Sequence, residues 1–96
     1  MHLITKKTLK AFWDKYPDSK TALIRWTRII EKNQFEDFAQ LKLTFPSADK
    51  VGKLTVFNIG GNKYRLITAI HFNRQKIYVR NVLTHKEYDK GGWKND

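Results

Sequence analysis

Cysteine is absent from this 96-residue chain, acidic residues number only nine, and no apolar run is long enough to cross a bilayer. Without cysteine there is no disulfide framework and no thiolate chemistry, which suits a reducing compartment. No stretch approaches the roughly 18 apolar residues of a membrane span, and the N-terminus lacks the apolar segment of a signal peptide, so the chain reads as soluble and cytoplasmic. The three histidines, His2, His71 and His85, have no ligand spacing and no cysteine partners, so no zinc site is expected. The acidic residues are scattered, which argues against a two-metal nuclease. No phosphate-cradling glycine loop precedes a Lys-Ser or Lys-Thr pair, and Gly60-Gly61 falls between strands rather than before a helix. No metal or cofactor is expected.

What is present is positive charge: 19 Lys and Arg give a formal balance of +10. Residues 51–96 carry +6 of it, so the excess leans toward the second half. Such a balance favours a polyanionic partner, nucleic acid or an anionic membrane, although it also serves solubility alone. The length allows one domain, residues 1–96, burying roughly 60 to 70% of the unfolded chain's surface.

Taken in order, His2-Leu3-Ile4 is a short apolar run that reads as a strand joining a later sheet. Thr5 is placed to cap a helix in which Leu9, Phe12, Trp13 and Tyr16 share one face, and Pro17 ends it. Asp18 or Ser19 can cap a second helix with a stripe of Ala22, Leu23, Trp26, Ile29 and Ile30. At this spacing the tryptophans read as core rather than as base-stacking platforms. Phe35, Phe38, Leu41 and Phe45 fit a short helix before Pro46, and Pro46-Ser47-Ala48-Asp49 reads as a turn. A meander of three strands begins at Leu54, and the end from Lys90 to Asp96 looks frayed unless Trp93 docks back. The expected fold is α+β in two layers, an N-terminal strand and helical hairpin packed on a mainly antiparallel sheet.

Period-two alternation defines the meander. Gly60-Gly61-Asn62 is a hairpin signal, since glycine and asparagine tolerate positive φ. Closing the next hairpin at Asn73–Lys76 with Phe72 opposite Ile77 sets Arg65 opposite Thr84 and Ala69 opposite Arg80. Tyr64, Leu66, Ile70, Phe72, Ile77, Val79 and Leu83 then make a core face. Arg65, His71, Tyr78 and Arg80 make an exposed face that also carries Val56 and Asn58.

That exposed face, followed by Thr84-His85-Lys86-Glu87-Tyr88-Asp89, has the side chains for cleaving RNA without metal. The reaction needs a base for the 2′-OH proton, fixed positive charge for the phosphorane, and an acid for the leaving 5′-oxygen. Arg65, Arg80, Lys86, His85 and Tyr88 supply those types at one end of the sheet, with Arg65 the choice for the phosphate clamp because its fork matches two oxygens. Taken singly, Arg65 and Arg80 are equally readable as ordinary exposed strand arginines. Lys63, Asn58, Lys53 and Tyr78 are candidates for positioning RNA, and Lys63 and Asn58 read equally as solvated residues beside a turn.

Val56-Phe57-Asn58-Ile59-Gly60-Gly61-Asn62-Lys63-Tyr64-Arg65-Leu66, then Tyr78-Val79-Arg80 and Thr84-His85-Lys86-Glu87-Tyr88-Asp89, closely resembles the HigB family of bacterial toxins within the RelE superfamily. The resemblance extends through Leu41-Lys42 and Phe45-Pro46-Ser47-Ala48-Asp49 and begins at Met1-His2-Leu3-Ile4. It implies a RelE-like fold and the toxin of a type II toxin-antitoxin pair. Such a toxin is an mRNA interferase that cuts the message in the ribosomal A site, among 16S and 23S rRNA, and is neutralised by a HigA-like helix-turn-helix antitoxin. By position, Arg65 resembles the sheet arginine at the scissile phosphate and Arg80 the second arginine, while His85, Lys86 and Tyr88 lie among the C-terminal catalytic side chains. His85 is then the acid or base, Tyr88 a hydrogen-bonding or stacking group, and Arg65, Arg80 and Lys86 the charge stabilisers. A histidine serves as either acid or base near neutral pH.

Two other classes compete. A non-catalytic RNA- or ribosome-binding module would use the same basic face to grip phosphates without cutting. An interaction protein would use it only to receive an acidic partner helix.

Overall fold

A computed structural model describes residues 1–95. In order the elements are β1 (His2–Ile4), α1 (Lys6–Lys15), α2 (Lys20–Lys32), α3 (Phe38–Thr44), β2 (Asp49–Val51), β3 (Leu54–Ile59), β4 (Tyr64–His71), β5 (Lys76–Thr84) and α4 (His85–Asp89). The sheet order is β1-β5-β4-β3-β2, with β1 parallel to β5 and every other pair antiparallel. The α+β architecture with an N-terminal strand and a helical hairpin on a mainly antiparallel sheet is the one expected.

The helical layer follows from its apolar spacing. Leu9 of α1 and Leu23, Trp26 and Ile30 of α2 are buried against Phe57, Leu66, Ile77 and Val79 of the sheet, and Trp26 meets Phe57 edge-on at 5.3 Å. Pro17, which lacks an N–H and has a fixed φ, opens a 3-10 turn directly after α1. Asp37 caps α3 by accepting from Gln40 N at 2.9 Å, and Leu41 points into the core.

Neither of the first two helix caps is the one expected. Thr5 precedes α1 with φ 72° and makes no side-chain cap; a β-branched residue in this left-handed region costs about 1–2 kcal/mol. Ser19 is buried and donates to Tyr16 O at 2.7 Å instead of capping α2. Asp18 turns toward the sheet.

The strands depart from expectation in three ways. First, the meander has four strands, because Asp49–Val51 forms β2 and returns through Gly52-Lys53 with Val51 opposite Leu54. Gly52, at φ 59°, supplies the left-handed turn residue. Second, Arg65 lies opposite Leu83, not Thr84, and Ala69 opposite Tyr78, not Arg80. Ile67 pairs with Asn81 while Thr68 pairs with Val79, so Arg80 is the extra residue of a β-bulge. Beyond the bulge the alternation changes sides. Val82, not Leu83, joins the helix-side core, and Leu83 packs on the arginine face.

Third, the chain after β5 is ordered into α4 and a 3-10 turn at Gly92–Asn95. Trp93 is buried against Leu54, Val56 and Ile67. The far face, which the sequence reading left open, is therefore partly covered, and Trp93 docks back, the stated alternative to a frayed end from Lys90; Asp96, the last residue of that reading, lies outside the described residues. Among the described residues no helix is long and apolar enough to cross a membrane.

Candidate active site

Arg65 stands on β4 between Asn58 of β3 and Leu83 of β5. The preceding turn holds it, because Nη1 donates to Asn62 O at 3.1 Å and to Tyr64 O at 3.3 Å. Gly60 and Gly61, at φ 61° and 69°, give that turn its left-handed backbone. The guanidinium carbon lies 5.3 Å from the centre of the Tyr88 ring, within cation–π range.

Tyr88 is brought there by α4. Thr84 and Glu87 form a reciprocal capping box: Thr84 Oγ1 accepts from Glu87 N at 3.2 Å, and Glu87 Oε1 accepts from Thr84 N at 3.0 Å. The bond from the Thr84 backbone holds the Glu87 carboxyl below its ordinary pKa. His85 N donates to Lys63 O at 3.2 Å, fastening the start of α4 to the turn that orients Arg65. Tyr88 then stacks on Trp93 with ring centres 4.9 Å apart and planes 15° apart, while the indole N–H donates to Tyr88 O at 2.9 Å.

Within α4, His85 Nδ1 lies 3.0 Å from Asp89 Oδ2 across one helical turn. Both side chains are more than half exposed, so the pair orients the ring more than it stabilises the fold. Lys86 is exposed on the same helix. Arg65, His85, Lys86 and Tyr88 are thus gathered at one end of the sheet.

Arg80 is not at that end. It sits at the bulge three residues before Leu83, on the order of 10 Å along the strand from Arg65's partner at about 3.3 Å per residue. With Lys53 it lines a cleft of about 730 Å³ that Trp93 also borders. Tyr78 lies further along β5, edge-on to His71 at 5.4 Å. Asn58 is half-buried opposite Arg65.

Lys63 is paired with a carboxylate. Its ammonium lies 2.8 Å from Asp18 Oδ2, and Tyr64 OH donates to Asp18 Oδ1 at 2.6 Å. These two contacts, the Lys63 bond first, keep the Asp18 carboxyl below its ordinary pKa. The hydrogen bond from the Tyr64 hydroxyl to Asp18 pushes that hydroxyl up to about 12. Lys63 therefore ties the arginine turn to the connection between α1 and α2. Among the described residues no three His, Asp or Glu side chains are grouped to hold a metal ion.

Comparison with known proteins supplies the family. Residues 19–91 match the model for HigB_toxin, described as the RelE-like toxic component of a toxin-antitoxin system. The chain belongs to the HigB toxin family. It is 47% identical over 92 residues to the mRNA interferase toxin HigB of Escherichia coli (strain K12), covering 93% of this chain and 88% of that protein. An mRNA interferase HigB of Shigella flexneri matches with the same figures. A more distant mRNA interferase HigB, from Escherichia coli O6:H1 (strain CFT073), is 32% identical over 93 residues, covering 94% of this chain and 90% of the relative.

Two residues of this HigB-family site, Asp89 and Trp93, are absent from the candidates that the sequence supplied. Asp89 follows His85 by four positions, a spacing that becomes informative only once the segment is known to be helical. That knowledge was available in the Thr84-x-x-Glu87 capping signature. Trp93 joins Tyr88, five residues before it, to Leu54, Val56 and Ile67, and those contacts with strands far away in sequence have no local signal.

Proposed function

We propose that this chain is an endoribonuclease, the toxin of a type II toxin-antitoxin pair, and that it cuts mRNA during translation in the ribosomal A site. The observation that carries the reading is the assembly at one sheet end of an arginine braced by a turn, a tyrosine ring beneath it, and a histidine held by a carboxylate. The names of its relatives as mRNA interferases support the same activity.

In the proposed reaction the 2′-oxygen attacks phosphorus, the O2′–P bond forms and the P–O5′ bond breaks, leaving a 2′,3′-cyclic phosphate and a 5′-hydroxyl. Both hydrogen bonds that brace Arg65 use Nη1, so its Nε and Nη2 edge is the one left to grip the phosphorane oxygens. With Asp89 Oδ2 3.0 Å from Nδ1 of His85, Nε2 is the nitrogen left to exchange the proton of the 2′-hydroxyl or of the leaving oxygen. Tyr88 supports Arg65 from below and offers a hydroxyl at the same site, and Lys86 adds positive charge. The whole chain acts as one toxin domain in the cytoplasm, restrained by a HigA-like antitoxin.

Induced expression of wild type and Arg65→Ala in a bacterial host, with primer extension on a reporter mRNA, tests this. Wild type is expected to arrest growth and to cut within translated codons, while Arg65→Ala loses about 10²–10³-fold in cutting, the scale of one lost transition-state donor. Normal growth and an uncut message with folded wild-type protein would leave a non-catalytic RNA-binding module as the better reading.

A further inference from the structure

Tyr88, whose ring meets Arg65, stands on α4, a helix of only 5 residues. A helix so short does not hold itself together in water, so the direction of the Tyr88 ring is set by what packs on it. The capping box fixes the start of α4. At the other end Gly91, at φ 73°, turns the chain back and brings Trp93 onto Tyr88. Trp93 lies beyond residues 19–91, the stretch that the family model matches.

The indole is held in two ways. It packs among Leu54 and Val56 of β3 and Ile67 of β4, which leaves Trp93 5% exposed. Its N–H donates to Tyr88 O at 2.9 Å, and the Gly91 N–H donates to the same carbonyl at 3.1 Å. The sheet therefore sets the plane of the indole, and the Tyr88 ring lies within 15° of that plane with centres 4.9 Å apart. Ile67 and Arg65 are two positions apart on β4 and so share one face of the sheet. Trp93 rests on the first and Tyr88 meets the second.

We propose that Trp93 is a positioning residue, which fixes the plane of the Tyr88 ring and, through that ring, the direction of the Arg65 guanidinium. At 5% exposure the indole is out of reach of a substrate, so its effect on cleavage passes through Tyr88. The two bonds from Nη1 fix one corner of the guanidinium, and the ring 5.3 Å from its central carbon fixes the tilt of its plane. A fork held in place before the phosphate arrives needs no reordering at the transition state. The effect on rate rests on the proposed cleavage reading, whereas the effect on Arg65 rests on the geometry alone.

The test compares the full chain as wild type, Trp93→Met, Trp93→Phe and Tyr88→Leu. Methionine fills the space of the indole with a flexible chain that sets no plane, whereas phenylalanine keeps a plane and loses the N–H donor. In NMR spectra the Arg65 side-chain protons of wild type are expected upfield of those of an unstacked arginine, because the ring current of Tyr88 acts on them. That shift is expected to shrink in Trp93→Met, to vanish in Tyr88→Leu and to persist in Trp93→Phe. In single-turnover cleavage, with ribosomes and message supplied, Trp93→Met is expected to lose about 10–10²-fold in rate, the upper figure being the scale of a 1 Å misplacement. Its KM is expected to stay near wild type, Trp93→Phe to recover most of the rate, and Trp93→Met to cost nothing further in a Tyr88→Leu background. A tryptophan that only covers the sheet would lower Tm and leave the Arg65 shift and the rate per folded molecule as they are. Such a result, or a full loss added on top of Tyr88→Leu, would overturn the proposal. The wild-type spectrum depends on no variant folding, and Arg65 protons there like those of an unstacked arginine would overturn it too. Cutting by wild type alongside any of these results would leave the cleavage reading standing. An Arg65 shift that shrinks in Trp93→Met, in a protein that never cuts, would do the reverse.

Discussion

Arg65 and His85 depend on different supports. Arg65 is half-buried and braced by two backbone carbonyls, so its direction is set by the fold. His85 is exposed, and it pairs with Asp89, which is exposed as well. Removing a general acid or base costs about 10²–10⁴-fold in rate, and His85→Ala is expected to fall in that range. Asp89→Asn leaves the ring in place but loses the carboxylate that fixes its tautomer, so a smaller loss and a displaced pH–rate profile are expected. Single-turnover cleavage at several pH values, with ribosomes and message supplied, measures both. An Asp89→Asn profile that overlays wild type would mean that the pair is only a surface contact.

At the scale of elements, the site depends on the register of β5 and on two connections held together by Asp18. The order of elements and the apolar stripes of α1 and α2 were legible in the sequence, because each stripe faces one large core. The bulge at Arg80 was not. Val82 and Leu83 are both apolar, so the alternation reads equally well with either one facing the helices, and only packing of both sheet faces decides between them. The strand β2 was hidden for another reason: three residues, Asp49–Val51, are too few to show a period. That Trp93 could dock back was legible, but not the face it covers, because that is set by its distant partners Leu54, Val56 and Ile67.

Asp18 joins the α1–α2 connection to the turn that braces Arg65, and its pH dependence follows from its partners. Its folded pKa lies below the ordinary 3.8, so the stability it gives is fully present above that value and is lost as pH falls through the lower folded pKa. Glu87, lowered from 4.5 by its capping bonds, acts in the same direction at α4. Tyr64 acts oppositely: raised from 10.0 to about 12, it keeps its contribution below pH 10 and loses it as pH rises through 12. Asp18→Asn is therefore expected to be less stable than wild type near pH 7 and to lose less on acidification to pH 3. Urea midpoints at the two pH values check this. Parallel midpoints for the two proteins would show that the carboxylate contributes nothing through its ionisation.

Over the whole molecule, a formal charge of +10 meets few compensating contacts. Among the described residues the acid–base pairs are Lys6 with Glu31, Lys63 with Asp18, and His85 with Asp89, all substantially exposed. Salt should therefore have two opposite effects. It screens the self-repulsion of the folded chain, which stabilises it, and it removes the counterion-release advantage of binding RNA, which weakens that binding. Between about 50 and 200 mM salt, where a protein with 6–10 phosphate contacts loses 10³–10⁵ in affinity for duplex DNA, Tm is expected to rise while affinity for single-stranded RNA falls. Thermal unfolding and anisotropy in one buffer series give both slopes. If affinity falls while Tm stays flat, the excess charge is spread widely enough to leave the fold unstrained, and its concentration along the RNA path is what matters. If both stay flat, RNA phosphates are not what the basic face binds, and an acidic protein partner becomes the occupant to test.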